Sequence, residues 1–170
     1  MSLIRLYFPN KIQSDLTSHL PKEQTHYIKD VMRLKIGDKL SIFNTFGEWS
    51  AVIESYEKSG ARIKVTGKVR DKDNEKNIWL AFSPIKQNPL NFVIQKGTEL
   101  GVQKFIPILS ERTIVREINI ERIKKIIVEA SEQSNRISVP EINKLESLKN
   151  FLSKFPKNGC IIFCDINSDK

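Results

Sequence analysis

The sequence predicts an α/β protein in two parts, a small β-barrel with one inserted helix followed by a βα domain built on a parallel sheet. Three observations predict it. The first 70 residues hold short alternating segments separated by turn signals. A polar stretch, DKDNEKN (71–77), then interrupts the chain and reads as a linker. After it the period changes to a continuous apolar run, a helical pattern and a second apolar run, which is the signature of a βαβ unit.

LIRLYF (3–8) is predicted as a strand closed by Pro9. EQTHYIKDVMRL (23–34) sets Tyr27 or Ile28, Val31 and Leu34 on one helical face. KLSIF (39–43) and EWSAVIESY (48–56) flank the turn NTFG, and ARIKVTGKV (61–69) follows the turn EKSG with Ile63, Val65 and Gly67 alternating with polar residues. In the second part NIWLAFS (77–83) is a buried strand. Asn88 is expected to cap a helix with Pro89 as its first residue, Leu90, Val93, Ile94 and Leu100 inward, and Gly101 at its end. KFIPIL (104–109) is the next strand. A helix starting at Asn119, with Glu121 in its first turn, buries Ile120, Ile123, Ile127 and Ala130, and Ser147 caps a helix carrying Leu148, Phe151 and Leu152. CIIFC (160–164) reads as a third buried strand with Cys160 and Cys164 on one face, reduced and too far apart to bridge.

Net charge is +8, from 28 Lys and Arg against 20 Asp and Glu, with 13 basic and 8 acidic residues in 1–72. A basic balance of this kind suits either a folded protein that meets a polyanion, most economically nucleic acid, or plain solubility. No apolar run reaches the roughly 18 to 20 residues of a membrane span, and MSLIRLYFPNK lacks the apolar core of a signal peptide, so a cytoplasmic protein is expected. His19 and His26 lie far from the cysteines, which speaks against zinc. The patterns GxxxxGK[ST], GxGxxG, HExxH and GxSxG are absent, which removes the common phosphate-loop, dinucleotide, zincin and nucleophile-elbow chemistries.

QKGTELGV (95–102), SERT (110–113), EASEQSNRISVPEI (129–142) and HYIKDVMRLKIGDKLSIF (26–43) together resemble the bacterial 16S ribosomal RNA uridine N3-methyltransferases of the SPOUT superfamily, in the same order and spacing over essentially all 170 residues. The resemblance implies a PUA-like β-barrel over 1–72 that binds RNA. It also implies a trefoil-knot SPOUT α/β domain, here 73–170, that binds S-adenosylmethionine and forms a homodimer, with 16S ribosomal RNA or the small subunit as partner. Two departures stand out. This chain has FNTFG (43–47) where the family's barrel carries FDG, and the GPEGG and LGxRxLRxETA segments that build the knot and the cofactor pocket do not occur in these residues. The SPOUT domain is therefore expected to be incomplete, and the chain by itself to bind no cofactor and transfer no methyl group; a non-catalytic RNA-binding module is the alternative.

N3-methylation of uridine needs the imide proton removed and the nitrogen aligned with the methyl group, so the site wants a positive group near a developing anion. Arg136, just past a helix end, is the catalytic and RNA-binding candidate, or else an arginine tied to Glu132 or to helix-end carbonyls. Glu132 and Gln133 either orient it and touch a base edge or merely solvate the helix end. Arg112 contacts RNA or pairs with Glu99 or Glu111, and Lys96 with Glu99 reads as a surface ion pair. In the barrel, Arg5 and Arg33 are candidates for phosphate contacts, His26 is a helix-start packing residue, and Trp49 and Trp79 are core or half-buried.

Overall fold

The computed structural model describes residues 3–72 and 75–165; the centre of the linker (Asp73, Asn74) and the last five residues of DINSDK fall outside the described residues. The N-terminal half is a five-stranded sheet in the order β1-β3-β4-β5-β2: β1 (Arg5–Tyr7), β2 (Thr17–His19), β3 (Lys39–Asn44), β4 (Gly47–Glu57) and β5 (Gly60–Asp71). β1 runs parallel to β3 and the other pairs are antiparallel. The strict alternation of β5 puts Ala61, Ile63 and Val65 inward, where they join Leu6, Ile28, Ile42, Trp49 and Ile53 in one core. Each Leu, Ile or Val among them contributes about 1.5 to 3 kcal/mol on full burial. β2 is a polar edge strand, TSH, and so gave no apolar signal in the sequence.

The inserted helix departs from the expected one. α1 (Lys22–His26) passes into a π-helical turn over Tyr27–Val31, closed by Met32 N–H to Tyr27 O and by Leu34 N–H to Ile28 O, with Arg33 left-handed at φ 57°. The wider turn shifts the phase of the face, so Ile28 is buried while Val31 points to solvent. His26 is exposed and bonds Asp30 at 2.6 Å rather than packing at a helix start.

The second half carries β6 (Ile78–Phe82), α2 (Gln87–Glu99) and β7 (Val102–Leu109), with β6 and β7 parallel. β8 (Glu141–Ile142) and β9 (Glu146–Ser147) extend β7 on its other side, again in parallel, on either side of a short break. α3 (Ile120–Gln133) and α4 (Leu148–Lys154) complete the domain; Asn119 Oδ1 accepts from Arg122 N and Ser147 Oγ from Asn150 N, so both expected caps are made. α2 packs so closely on β7 that a Cβ at Gly97 would lie 2.8 Å from the Phe105 ring.

Four expectations fail here. α2 begins at Gln87, two residues before the expected first residue Pro89, with Lys86 rather than Asn88 at the N-cap, because Pro89 needs only to sit somewhere in the first turn, where its missing N–H has no partner to lose. Leu100 is exposed, since the chain turns at Gly101 (φ 98°) before the helical face comes round again. β6 is half-buried rather than buried. CIIFC is not a strand: 160–164 are exposed, Ile162 to 85%, with both cysteines free at the surface. An apolar run becomes a strand only when a neighbour supplies its ladder, and among the described residues neither edge strand of this sheet, β6 nor β8, pairs with CIIFC.

Candidate functional site

The site grows from a buried carboxylate. Glu48, at the start of β4, is 5% exposed and receives Arg5 Nε at 3.0 Å, Arg5 Nη2 at 3.3 Å, Arg70 Nε at 2.8 Å and the Ser41 hydroxyl. Burial works against its charge, but Arg5, Ser41 and Arg70 together outweigh it and hold the carboxyl below its ordinary value. Both arginines continue into the other half of the molecule. Arg5 Nη1 donates to Ser131 O at 3.2 Å and Glu132 O at 3.0 Å, and its Nη2 to Arg136 O at 2.8 Å, while Arg70 Nη2 donates to Asn135 O at 2.6 Å. These are the last carbonyls of α3 and the loop after it, the negative end of the helix, where a guanidinium is best placed.

Arg136 repeats the arrangement on the other side of that loop. It is 7% exposed and gives Nε to Glu75 Oε1 at 3.3 Å, Nη1 to Thr98 O at 2.5 Å and Val102 O at 2.9 Å, and Nη2 to Glu75 Oε2 at 2.5 Å and Ser138 Oγ at 2.7 Å. All five of its N–H donors are used, as are all five of Arg5. Glu75 also accepts from Ser138 Oγ at 2.6 Å and from Gln103. Burial opposes its charge, and the bonds from Arg136, Ser138 and Gln103 prevail and lower its pKa.

The predicted residues thus divide. Arg5 and Arg136 turn inward and fasten the N-terminal sheet, the linker and the α/β half to one another; neither keeps a donor for a phosphate or a developing anion. Arg136 is held by helix-end carbonyls and by Glu75, not by Glu132. Glu132 is half-buried, accepts Tyr7 N–H at 2.8 Å, and has its pKa raised by burial and by the charge of Glu129, against Tyr7 N–H and Arg5. Gln133, the last residue of α3, is exposed and lines a groove of about 920 Å³ with Glu132, Gln24 and Tyr27. Arg33 and Arg112 are exposed and make no hydrogen bond or ion pair among the described residues. Lys96 and Glu99 form the expected ion pair at 2.7 Å, and Trp49 is core. Glu48 and Glu75 escaped the sequence reading: one sits among the alternating residues of β4 and the other in a charge run that looked like solvated linker.

Arg112 lies in the loop beyond the carboxyl end of β7, where Ser110 N–H and hydroxyl bond Thr113 Oγ1 at 2.9 and 2.8 Å and Ser83, just past β6, reaches Ser110 at 3.1 Å. Ligands of open α/β sheets bind at this edge. The two loops, SPIKQ (83–87) and SERTI (110–114), offer hydroxyls and a guanidinium but no glycine, so by themselves they do not fit a nucleoside cofactor, and no step through one is derived from them. Among the described residues no group of three or more His, Cys, Asp and Glu could hold a metal ion, and no helix is long and apolar enough to cross a membrane.

Comparison with known proteins gives this architecture a class. Residues 72–170 match the family model described as RNA methyltransferase domain, and residues 20–66 that described as RNA methyltransferase PUA domain. The chain belongs to the RNA methyltransferase family of the SPOUT superfamily whose named members are the ribosomal RNA small subunit methyltransferases E. That of Rickettsia conorii is 33% identical over 156 residues, 91% of this chain and 64% of its own length; that of Bacillus subtilis is 31% identical over 165 residues, 89% and 63%. The chain therefore spans a little over three-fifths of these curated relatives. Among solved structures, a ribosomal RNA small subunit methyltransferase E from Neisseria gonorrhoeae bound to S-adenosyl methionine superposes with a TM-score of 0.84 at 29% identity, over 92% of this chain and 67% of that one. A methyltransferase from Legionella pneumophila in complex with the same cofactor also gives 0.84, at 27% identity, over 93% and 69%.

Proposed function

We propose that the protein these residues belong to transfers the methyl group of S-adenosylmethionine to N3 of a uridine in 16S ribosomal RNA, and that the residues described above supply its grip on RNA, the cofactor needing more than the loops SPIKQ and SERTI to hold it. The observation that carries this reading is the joint match of both halves, PUA and methyltransferase, in one chain that follows the cofactor-bound Neisseria structure over 92% of its length. The net charge of +8 agrees with a polyanionic substrate. The cofactor supplies the methyl group. In this reading the inward arginines, Arg5 and Arg136, hold the two halves at a fixed offset, and the outward groups, Arg33, Arg112 and Gln133, meet the RNA. Fixed offset is itself catalytic help, because aligning a nitrogen nucleophile with a methyl group depends on ångström-scale placement.

The test is incubation of the protein with labelled S-adenosylmethionine and small-subunit RNA that lacks the modification, followed by digestion to nucleosides. Label in N3-methyluridine is the expected result. Label in another nucleoside overturns the assignment of the atom, and no label in any nucleoside overturns the activity.

A further inference from the structure

The turn NTFG, where this chain departs from the FDG of the family it resembles, carries an exposed aromatic. Phe46 is 70% exposed at the tip of the β3–β4 hairpin, yet the tip is built firmly. Its N–H donates to Asn44 Oδ1 at 3.0 Å, and the buried Asn44 donates through Nδ2 to Asn10 O at 2.9 Å. Gly47 follows at φ 149°, and a Cβ there would lie 2.6 Å from Arg70 O, so the hairpin crosses β5 as closely as backbone allows. Register places Gly47 opposite Asp71, the residue before Lys72, and Lys72 shares the lining of one groove with Thr45, the neighbour of Phe46. Beside the tip lies a groove of about 390 Å³ whose lining includes Thr45, Lys72, Asn77, Gln103 and Lys104. Its carboxylates are already engaged, Glu75 by Arg136 and Glu141 by Lys104 at 3.0 Å. An exposed ring on a firmly hydrogen-bonded turn, next to a polar groove in which Lys72 is the lining charge without an ion-pair partner among the described residues, matches one ligand chemistry: an unpaired nucleotide, its base on the ring and its phosphate toward lysine.

The geometry points to Phe46 as a stacking platform for an unpaired base of single-stranded RNA, with Lys72 on the adjoining phosphate and the groove receiving the neighbouring nucleotide. This rests on the RNA reading above. It places RNA against the β3–β4 hairpin and the junction with the α/β half, a surface distinct from the carboxyl-end loops near Arg112.

The experiment measures the affinity of the whole chain for a short single-stranded RNA of mixed sequence and for a duplex of the same sequence, by fluorescence anisotropy, with the fold of each variant checked by circular dichroism. Phe46→Ala is expected to weaken single-strand binding roughly tenfold and leave duplex binding unchanged, and Phe46→Tyr to keep near wild-type affinity. Lys72→Ala should weaken both RNAs and reduce the salt slope by about 1. Wild-type affinity of Phe46→Ala for the single strand overturns the platform while leaving the RNA reading intact, as does an equal loss on single strand and duplex. Failure of the wild-type chain to bind either RNA overturns both.

Discussion

Arg136 carries the sharpest contrast between what a residue type suggests and what its surroundings make of it. SEQSNR at a helix end advertises an exposed guanidinium, and the sequence cannot say that Glu75, 61 residues earlier, closes over it. With its donors committed to Glu75, Ser138 and the turn between α2 and β7, Arg136 is read as a positioning residue. Arg136→Met takes the guanidinium away from the half-buried Glu75, which keeps only the bonds from Ser138 and Gln103, and from the carbonyls of Thr98 and Val102, and is expected to lower unfolding stability by about 3 kcal/mol in urea denaturation. Arg136→Lys keeps the charge but loses the fork and should fall between the two proteins, with activity declining in step with stability. Activity lost at full stability would restore the catalytic reading. The buried carboxylates also set the acid response. Glu48 and Glu75 have folded pKa values below their ordinary 4.5, so their stabilisation is complete above 4.5 and is lost as pH falls through the lower folded values. Glu132 is raised, so its contribution has the opposite sign, present below 4.5 and lost as pH rises through its folded value. Two groups against one predict net loss in acid. Stability of Glu48→Gln followed from pH 7 to pH 3 should show a shallower acid arm than the wild type, and an unchanged arm would mean that Glu48 is not ionised in the folded state.

Elements were legible where local signals agree with packing. The caps at Asn119 and Ser147, the hairpin strands β3, β4 and β5, and the βαβ order were all readable, because capping hydroxyls and amides, turn residues and apolar period act over a few residues. What misled was geometry set from a distance. The π turn after α1 swaps Val31 out of a face that 3.6-residue spacing assigns to the core, and β2 exists only because β5 offers an edge. CIIFC has the composition of a strand and no partner for its ladder among the described residues. Gly97 shows how closely the α2–β7 contact is fitted. Replacing it with Ala should gain roughly 0.5 to 1 kcal/mol of helix propensity, whereas displacing the buried Phe105 ring costs about 1 to 3 kcal/mol. Gly97→Ala is therefore expected to destabilise by about 1 kcal/mol in thermal or chemical melts; a stabilised variant would mean that the ring yields freely.

Across the whole molecule, one core gathers residues from Leu6 to Val65 and two others gather residues from Trp79 to Phe155. That separation supports two domains, for which we propose boundaries at 1–72 and 73–170. The boundary is not a loose hinge. Glu75 in the linker, Arg5 and Arg70 in the first half and the loop after α3 in the second form one continuous hydrogen-bonded seam. Arg5, Arg70 and Arg136 belong to that seam, and we propose that the exposed Arg33 and Arg112 meet RNA. The measurement that tests this division most directly is the salt dependence of small-subunit RNA binding by the whole chain, compared between wild type and the Arg33→Ala, Arg112→Ala double variant. A steep negative slope of log affinity against log salt, made shallower by about 2 in a variant that melts like the wild type, is the result the account predicts. A flat wild-type slope, or a double variant indistinguishable from wild type, would contradict it.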